Sequence, residues 1–87
     1  MSWKVYSRDG CIFCDAAMGL LKEKGIPYEE IKVPNNEEAV KLFKMNGFKT
    51  VPQIFTNRDV YVGGYQDLKR SLSEWPDNPA EANSFSN

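Results

Sequence analysis

A chain of 87 residues makes one domain near the small end of what folds alone, with one core and little surplus for insertions. Its 11 basic and 12 acidic residues leave a formal net charge of -1 and no basic stripe to neutralise phosphates, which argues against a nucleic-acid partner. No apolar run approaches the ~20 residues that span a bilayer, and Met1-Ser2-Trp3-Lys4 enters a strand-like segment without a signal-peptide core, so a cytosolic location away from membranes is expected.

Trp3 to Tyr6 is rich in strand formers, and Ser7-Arg8-Asp9-Gly10 is a polar turn that delivers the chain to Cys11-Ile12-Phe13-Cys14. These are the only two cysteines. In a cytosolic chain such a pair is more often catalytic than structural, and its place between a strand and a helix reads as a thiol-disulfide exchange site. Unpaired N–H groups and the positive end of the helix dipole stabilise a thiolate there, enough to lower a thiol pKa from about 8.5 into the range of about 3.5 to 7.5. Helical residues i and i+3 share a face, so a second sulfur can resolve a mixed disulfide formed at the first. Half of a zinc site is the competing reading, but with no histidine and no second cysteine pair it would need carboxylates or a second protomer to complete a tetrahedron. Two inert core thiols are a further alternative.

From Ile12 to Lys24, residues Cys14, Ala17, Met18 and Leu21 fall on one helical stripe, closed by Lys22, Lys24 and Gly25. Cys14 should therefore face inward, and Cys11 should be the exposed, attacking sulfur. Tyr28 to Val33 alternates like an edge strand that Pro34 stops. Asn35 or Asn36 caps a helix over Glu37 to Asn46, with Ala39, Leu42 and Phe43 on its apolar face and Gly47 at its end. Gln53 to Thr56 and Val60 to Val62 flank Asn57-Arg58-Asp59 as an antiparallel hairpin. A last helix from about Tyr65 to Trp75 places Leu68, Leu72 and Trp75 on one face, before Pro76. The order is βαβαββα over a domain of residues 1–76. Residues 77–87 carry one large apolar side chain, Phe85, and are expected to form a mobile tail.

Three further segments carry chemistry. Thr50-Val51-Pro52 stands before the hairpin, where a cis proline would turn the Val51 N–H and C=O outward as an edge for a peptide disulfide. Gly63-Gly64 precedes Tyr65-Gln66-Asp67-Leu68, so a ligand carboxylate could approach the backbone at a helix N-terminus and Asp67 could accept from an ammonium group. The simpler reading of Asp67 is favourable interaction with the helix dipole. Arg8, three residues before Cys11, could hold a second carboxylate or support the thiolate. A ligand with a carboxylate at each end, an ammonium group and a central thiol would satisfy all three features, and glutathione is such a molecule.

From about Trp3 to Leu72 the sequence resembles the glutaredoxin family, on the strand-linked Cys11-x-x-Cys14, Thr50-Val51-Pro52-Gln53-Ile54-Phe55 and Gly63-Gly64-Tyr65-Gln66-Asp67-Leu68 in that order and spacing. The resemblance implies a thioredoxin fold of the α/β class, with a four-stranded mixed sheet flanked by three helices and the proline cis. It also implies glutathione-dependent reduction of protein disulfides and glutathione mixed disulfides. By position, Cys11 is then the nucleophile and Cys14 the resolving thiol. Arg8 meets the glycine carboxylate of glutathione, and Phe13 flanks the sulfur. Thr50 and Val51, before Pro52, align the cysteine moiety, and Gly64, Tyr65, Gln66 and Asp67 hold the γ-glutamyl end.

Two departures from the family pattern stand out. Ile12 and Phe13 replace the usual Pro-Tyr of dithiol members, removing a proline constraint and a phenol hydroxyl. Some members without that proline bind a [2Fe-2S] cluster between protomers, with glutathione as a ligand, but their second motif residue is typically small and Ile12 is bulky. No metal is expected, and a dimer that carries a [2Fe-2S] cluster is kept as an alternative. The short chain looks closest to bacterial and phage forms, often donors to ribonucleotide reductase, and a monomer is expected. A redoxin served directly by thioredoxin reductase is the alternative within the same chemistry.

Overall fold

The computed structural model describes residues 2–75, so the expected tail at 77–87 and the domain boundary at 76 lie outside the described residues. The expected βαβαββα order is observed. Strand β1 (Trp3–Ser7) leads to helix α1 (Ile12–Glu23), β2 (Tyr28–Lys32), α2 (Glu37–Asn46), the hairpin β3 (Gln53–Phe55) and β4 (Tyr61–Gly63), and helix α3 (Tyr65–Ser71). The sheet runs β2-β1-β3-β4, with β1 parallel to β2 and antiparallel to β3. β2 is an edge strand, as its alternation suggested. Together these make a four-stranded mixed sheet with three helices.

Strand alternation sends neighbouring residues to opposite faces of the sheet, and here the faces differ in chemistry. Val5 and Ile54, fully buried, join Ala17 and Leu21 of α1 and Leu68 and Leu72 of the α3 region in an aliphatic core. Tyr6 and Phe55 turn the other way, into an aromatic cluster with Phe43 of α2, Phe48 and Tyr61, ring centroids 5.1 to 6.4 Å apart. The α1 stripe is buried at Cys14, Ala17 and Leu21, while Met18 is only partly covered and packs at its margin. Helix α2 starts on Asn36, whose side-chain oxygen accepts from the Ala39 N–H at 3.0 Å, and stops at Gly47, whose φ of 68° suits glycine.

β1 runs one residue further than read, to Ser7, and α1 and β3 each stop one residue earlier, at Glu23 and Phe55; the other boundaries that differ have local causes. β2 ends at Lys32 because Val33–Asn35 winds into a 3₁₀ turn with Pro34 near its start. The hairpin loop is longer than three residues: the Thr56 hydroxyl accepts from the N–H groups of Arg58 and Val60, each at 3.2 Å, Asp59 takes a positive φ of 62°, and β4 is displaced to Tyr61–Gly63. Helix α3 stops at Ser71, where the Ser73 hydroxyl donates to the Arg70 carbonyl at 2.9 Å. Trp75 therefore leaves the helix face, is 44% exposed, and packs edge-on against Trp3 at 5.9 Å.

Candidate active site

Cys11 and Cys14 form a disulfide with Cα atoms 5.2 Å apart. Cys11 is the N-cap of α1: its backbone is extended, its carbonyl accepts from the Asp15 N–H at 3.1 Å, and its Sγ accepts from the Cys14 N–H at 3.1 Å. A negative charge at that sulfur would meet the unpaired donors of the helix end. Cys14 is 1% exposed and Cys11 half-buried. Solvent and partners therefore reach Cys11, and Cys14 is reached through it.

The wall facing this sulfur is the Thr50–Val51–Pro52 segment. The Val51–Pro52 bond is cis, and the Val51 carbonyl lies 3.9 Å from Cys11 Sγ, near enough to receive the S–H of a reduced cysteine. Among the described residues the Val51 N–H has no hydrogen-bond partner. An N–H and a C=O so placed can pair with an extended segment.

A cleft of about 440 Å³ is bounded by Phe13, by Thr50, Val51 and Pro52, and by Gly64, Tyr65, Gln66 and Asp67 at the start of α3; neither cysteine lines it, and Phe13 and Val51 connect it to the disulfide. Phe13, 58% exposed, leans on Tyr65 with ring centroids 5.8 Å apart, and its neighbour Ile12 is exposed. Arg8 is not in this cleft. It lines a neighbouring hollow of about 180 Å³ with Lys49, Phe43 and Phe48, and Thr50 and Val51 are common to both. Arg8 has no ion-pair partner among the described residues. A long ligand lying across Thr50–Val51 would thus have cations at one end and the α3 terminus at the other.

Asp67 already has intramolecular partners: its carboxylate accepts from the Gly64 N–H at 3.2 Å and pairs with Arg70 at 3.4 Å. The simpler reading of this residue, a carboxylate serving its own helix terminus, is present in the structure, and a ligand ammonium group would share it with Arg70. Of the two glycines, Gly63 is the one the backbone requires. Its φ is 122°, and a Cβ there would collide with the Asp67 side chain, whereas Gly64 has an ordinary φ of -90°.

Gln53, Tyr61 and Lys49 border the site and were missed in the sequence. Gln53 is 7% exposed; its Nε2 donates to the Thr50 carbonyl at 3.1 Å and to Thr50 Oγ1 at 3.3 Å, while the Tyr61 hydroxyl donates to its Oε1 at 2.6 Å. The signal available was a glutamine opening an otherwise apolar strand; nothing local singled out Tyr61.

Behind the cysteine loop runs a charged chain. The buried Ser7 hydroxyl donates to Glu30 at 2.7 Å, and Lys32 spans Glu30 at 3.3 Å and Asp9 at 2.8 Å. The Ser7 hydrogen bond, with help from Lys32, holds the Glu30 carboxyl below its ordinary range; Lys32 does the same to Asp9, and the two carboxylates raise Lys32. The loop before Cys11 is thereby tied to the edge strand.

A [2Fe-2S] cluster needs four ligands. Cys11 is the more accessible of the chain's two cysteines, and the described residues gather no group of three or more His, Cys, Asp or Glu side chains that could hold a metal. A cluster shared between two protomers, with glutathione as a further ligand, would take one Cys11 from each.

A cysteine disulfide at a helix N-terminus, opposed by a cis-proline segment on a four-stranded mixed sheet, defines a thiol-disulfide oxidoreductase of the thioredoxin fold. The chain belongs to the glutaredoxin family, whose model matches residues 4–61. Glutaredoxin 1 of Rickettsia prowazekii is 45% identical over 67 residues, covering 74% of this chain and 70% of that protein. The solution structure of glutaredoxin from Brucella melitensis superposes with a TM-score of 0.67 at 35% identity, over 85% of this chain and 79% of that one. The glutaredoxin-like NrdH-redoxin of Escherichia coli, described for its thioredoxin-like activity profile, superposes with a TM-score of 0.68 at 25% identity, over 80% and 93%. Among the described residues no helix is long and apolar enough to cross a membrane.

Proposed function

We propose that this protein is a monomeric, cytoplasmic, glutathione-dependent oxidoreductase that reduces protein disulfides and glutathione mixed disulfides. The observation that carries this reading is the cleft beside Cys11, which joins the Thr50–Val51–Pro52 wall to the α3 N-terminus and shares that wall with the cationic hollow of Arg8 and Lys49. The Cys11 thiolate attacks one sulfur of the substrate disulfide and expels the other as a thiolate. Cys14 then attacks Cys11 Sγ, releases the second substrate thiol and leaves the Cys11–Cys14 disulfide. One glutathione thiolate opens that disulfide at Cys11, and a second takes the glutathionyl sulfur as glutathione disulfide. Two electrons and two protons pass from two glutathione molecules to the substrate. Disulfide-bearing enzymes such as ribonucleotide reductase are the substrates this chemistry fits.

Reduced Cys14→Ser protein mixed with glutathione disulfide should gain the mass of one glutathione, located on Cys11 by peptide mapping, and release one glutathione per chain. Absence of an adduct on folded, reduced protein would refute glutathione as the partner. The likeness to NrdH-redoxin and the engagement of Asp67 by Arg70 favour, as a second reading, direct reduction by thioredoxin reductase. Turnover with that reductase and none with glutathione would establish it.

A further inference from the structure

The Tyr61 hydroxyl and the Gln53 carboxamide form a chain that ends on the segment facing the reactive sulfur. Gln53 opens β3, paired with Tyr6 of β1, so its backbone is fixed by the sheet. Its side chain turns back across Pro52 and closes both acceptors of Thr50, the carbonyl at 3.1 Å and the hydroxyl at 3.3 Å. Burial makes this amide costly unless every donor and acceptor is used. The Tyr61 hydroxyl, at 2.6 Å, supplies the donor to Oε1. Tyr61 is itself held, stacked on Phe48 with centroids 5.1 Å apart and packed on Phe55 at 5.3 Å. Its phenol is shifted up by burial and by Asp67, so it keeps its proton and stays a donor across the working pH range.

With the Thr50 carbonyl and hydroxyl oxygen engaged by Gln53, the Val51 N–H stands without a partner among the described residues and the Val51 carbonyl lies 3.9 Å from Cys11 Sγ. We propose that Tyr61 and Gln53 are positioning residues of the site: they hold the Thr50–Val51 backbone against Cys11 and so set how tightly the disulfide substrate is bound, while the sulfur exchange itself runs through Cys11. This inference rests on Thr50 and Val51 being the edge that receives substrate.

Tyr61→Phe keeps the ring in its stack and removes one neutral hydrogen bond, worth about 3- to 10-fold in binding. Steady-state reduction of a glutathione mixed disulfide by Tyr61→Phe should show KM raised by that factor with kcat within about twofold of wild type. The Gln53 side-chain amide signals in a ¹⁵N spectrum should move toward free-glutamine positions. Gln53→Leu, which removes the whole clamp, should raise KM at least as far. A purely structural role for Tyr61 would lower Tm and leave KM alone, and that result overturns the inference, as does a fall in kcat at constant KM. If wild type fails with glutathione yet reduces insulin disulfides with thioredoxin reductase, the glutathione reading falls; the KM for insulin in Tyr61→Phe then decides the positioning role by the same criteria.

Discussion

Cys11 and Cys14 are three residues apart, but their surroundings differ in a way that suits them to the two proposed roles. Cys11 caps a helix and touches the Val51 carbonyl, whereas Cys14 is sealed beneath it with 1% exposure. A thiol that only Cys11 can reach is suited to resolving a mixed disulfide and little else. Cys14→Ser should therefore keep most deglutathionylation activity and lose at least about tenfold in reduction of a protein disulfide such as insulin, in keeping with the two-step route of thiol-disulfide exchange. Equal losses in both assays would contradict that division. Gly63 is a second residue whose environment dictates its identity. At a φ of 122°, beside the Asp67 carboxylate, Gly63→Ala combines backbone strain of about 1 to 3 kcal/mol with displacement of the side chain that caps α3. Lowered Tm together with weakened glutathione binding by calorimetry is the expected outcome, and wild-type values for both would show that the turn accepts a side chain.

The cysteine loop is held by what its neighbouring strands place behind it. Ser7 ends β1 and Glu30 lies in β2, so their hydrogen bond ties the strand that delivers Cys11 to the sheet edge. Glu30 has a lowered pKa when folded, so the stability it adds is present above the unfolded carboxyl value of about 4.3 and lost as pH falls through the lower folded value. Removing the hydroxyl with Ser7→Ala should cost about 1 to 2 kcal/mol at pH 7, less than the full value of a bond to a charged group because Glu30 is partly exposed. The gap in Tm between the two proteins should narrow below about pH 4; a constant gap from pH 3 to 7 would mean the bond does not depend on the Glu30 charge. Elements of this kind were legible in the sequence where their signals are local. The stripe through Cys14, Ala17 and Leu21, the cap at Asn35 or Asn36 and the Gly47 stop all lie within a turn or two of what they control, and the structure selects Asn36. Legibility failed where cross-strand register decides. The irregular pairing of Ile54 and Phe55 with Gly63 and Tyr61 places the Tyr61 hydroxyl on Gln53, and no spacing along the chain encodes that contact. Trp75 was misplaced for a related reason: helical periodicity extends through it, but Ser73 competes for the Arg70 carbonyl and ends the helix first.

The whole molecule supports its site from two unlike faces of one sheet. An aliphatic core fixes α1, and with it the N-terminus that carries Cys11, while an aromatic cluster fixes Tyr61 and the wall opposite. Leu21, fully buried in the first, has no counterpart in the second. Leu21→Ala should cost about 2 to 5 kcal/mol, a large share of the about 5 to 15 kcal/mol that holds a small domain together, and should be measured by urea unfolding. A loss below about 1 kcal/mol would mean the core closes over the space. In the sequence, the motifs around Cys11, Pro52 and Gly64 hold most of the residues that line the candidate cleft, but their sorting into that cleft and a separate cationic hollow appears only once the chain is folded. Arg8 and Lys49 share one side of Thr50–Val51 because the loops that follow β1 and α2 line one hollow there. The most direct test of the account is NADPH oxidation in the presence of glutathione, glutathione reductase and a small glutathione mixed disulfide, with intact protein and with Cys11→Ser. Sustained turnover that disappears in Cys11→Ser is the predicted result. Folded wild-type protein that gives no turnover, or a Cys11→Ser variant that retains it, would contradict the assignment of glutathione as donor or of Cys11 as nucleophile.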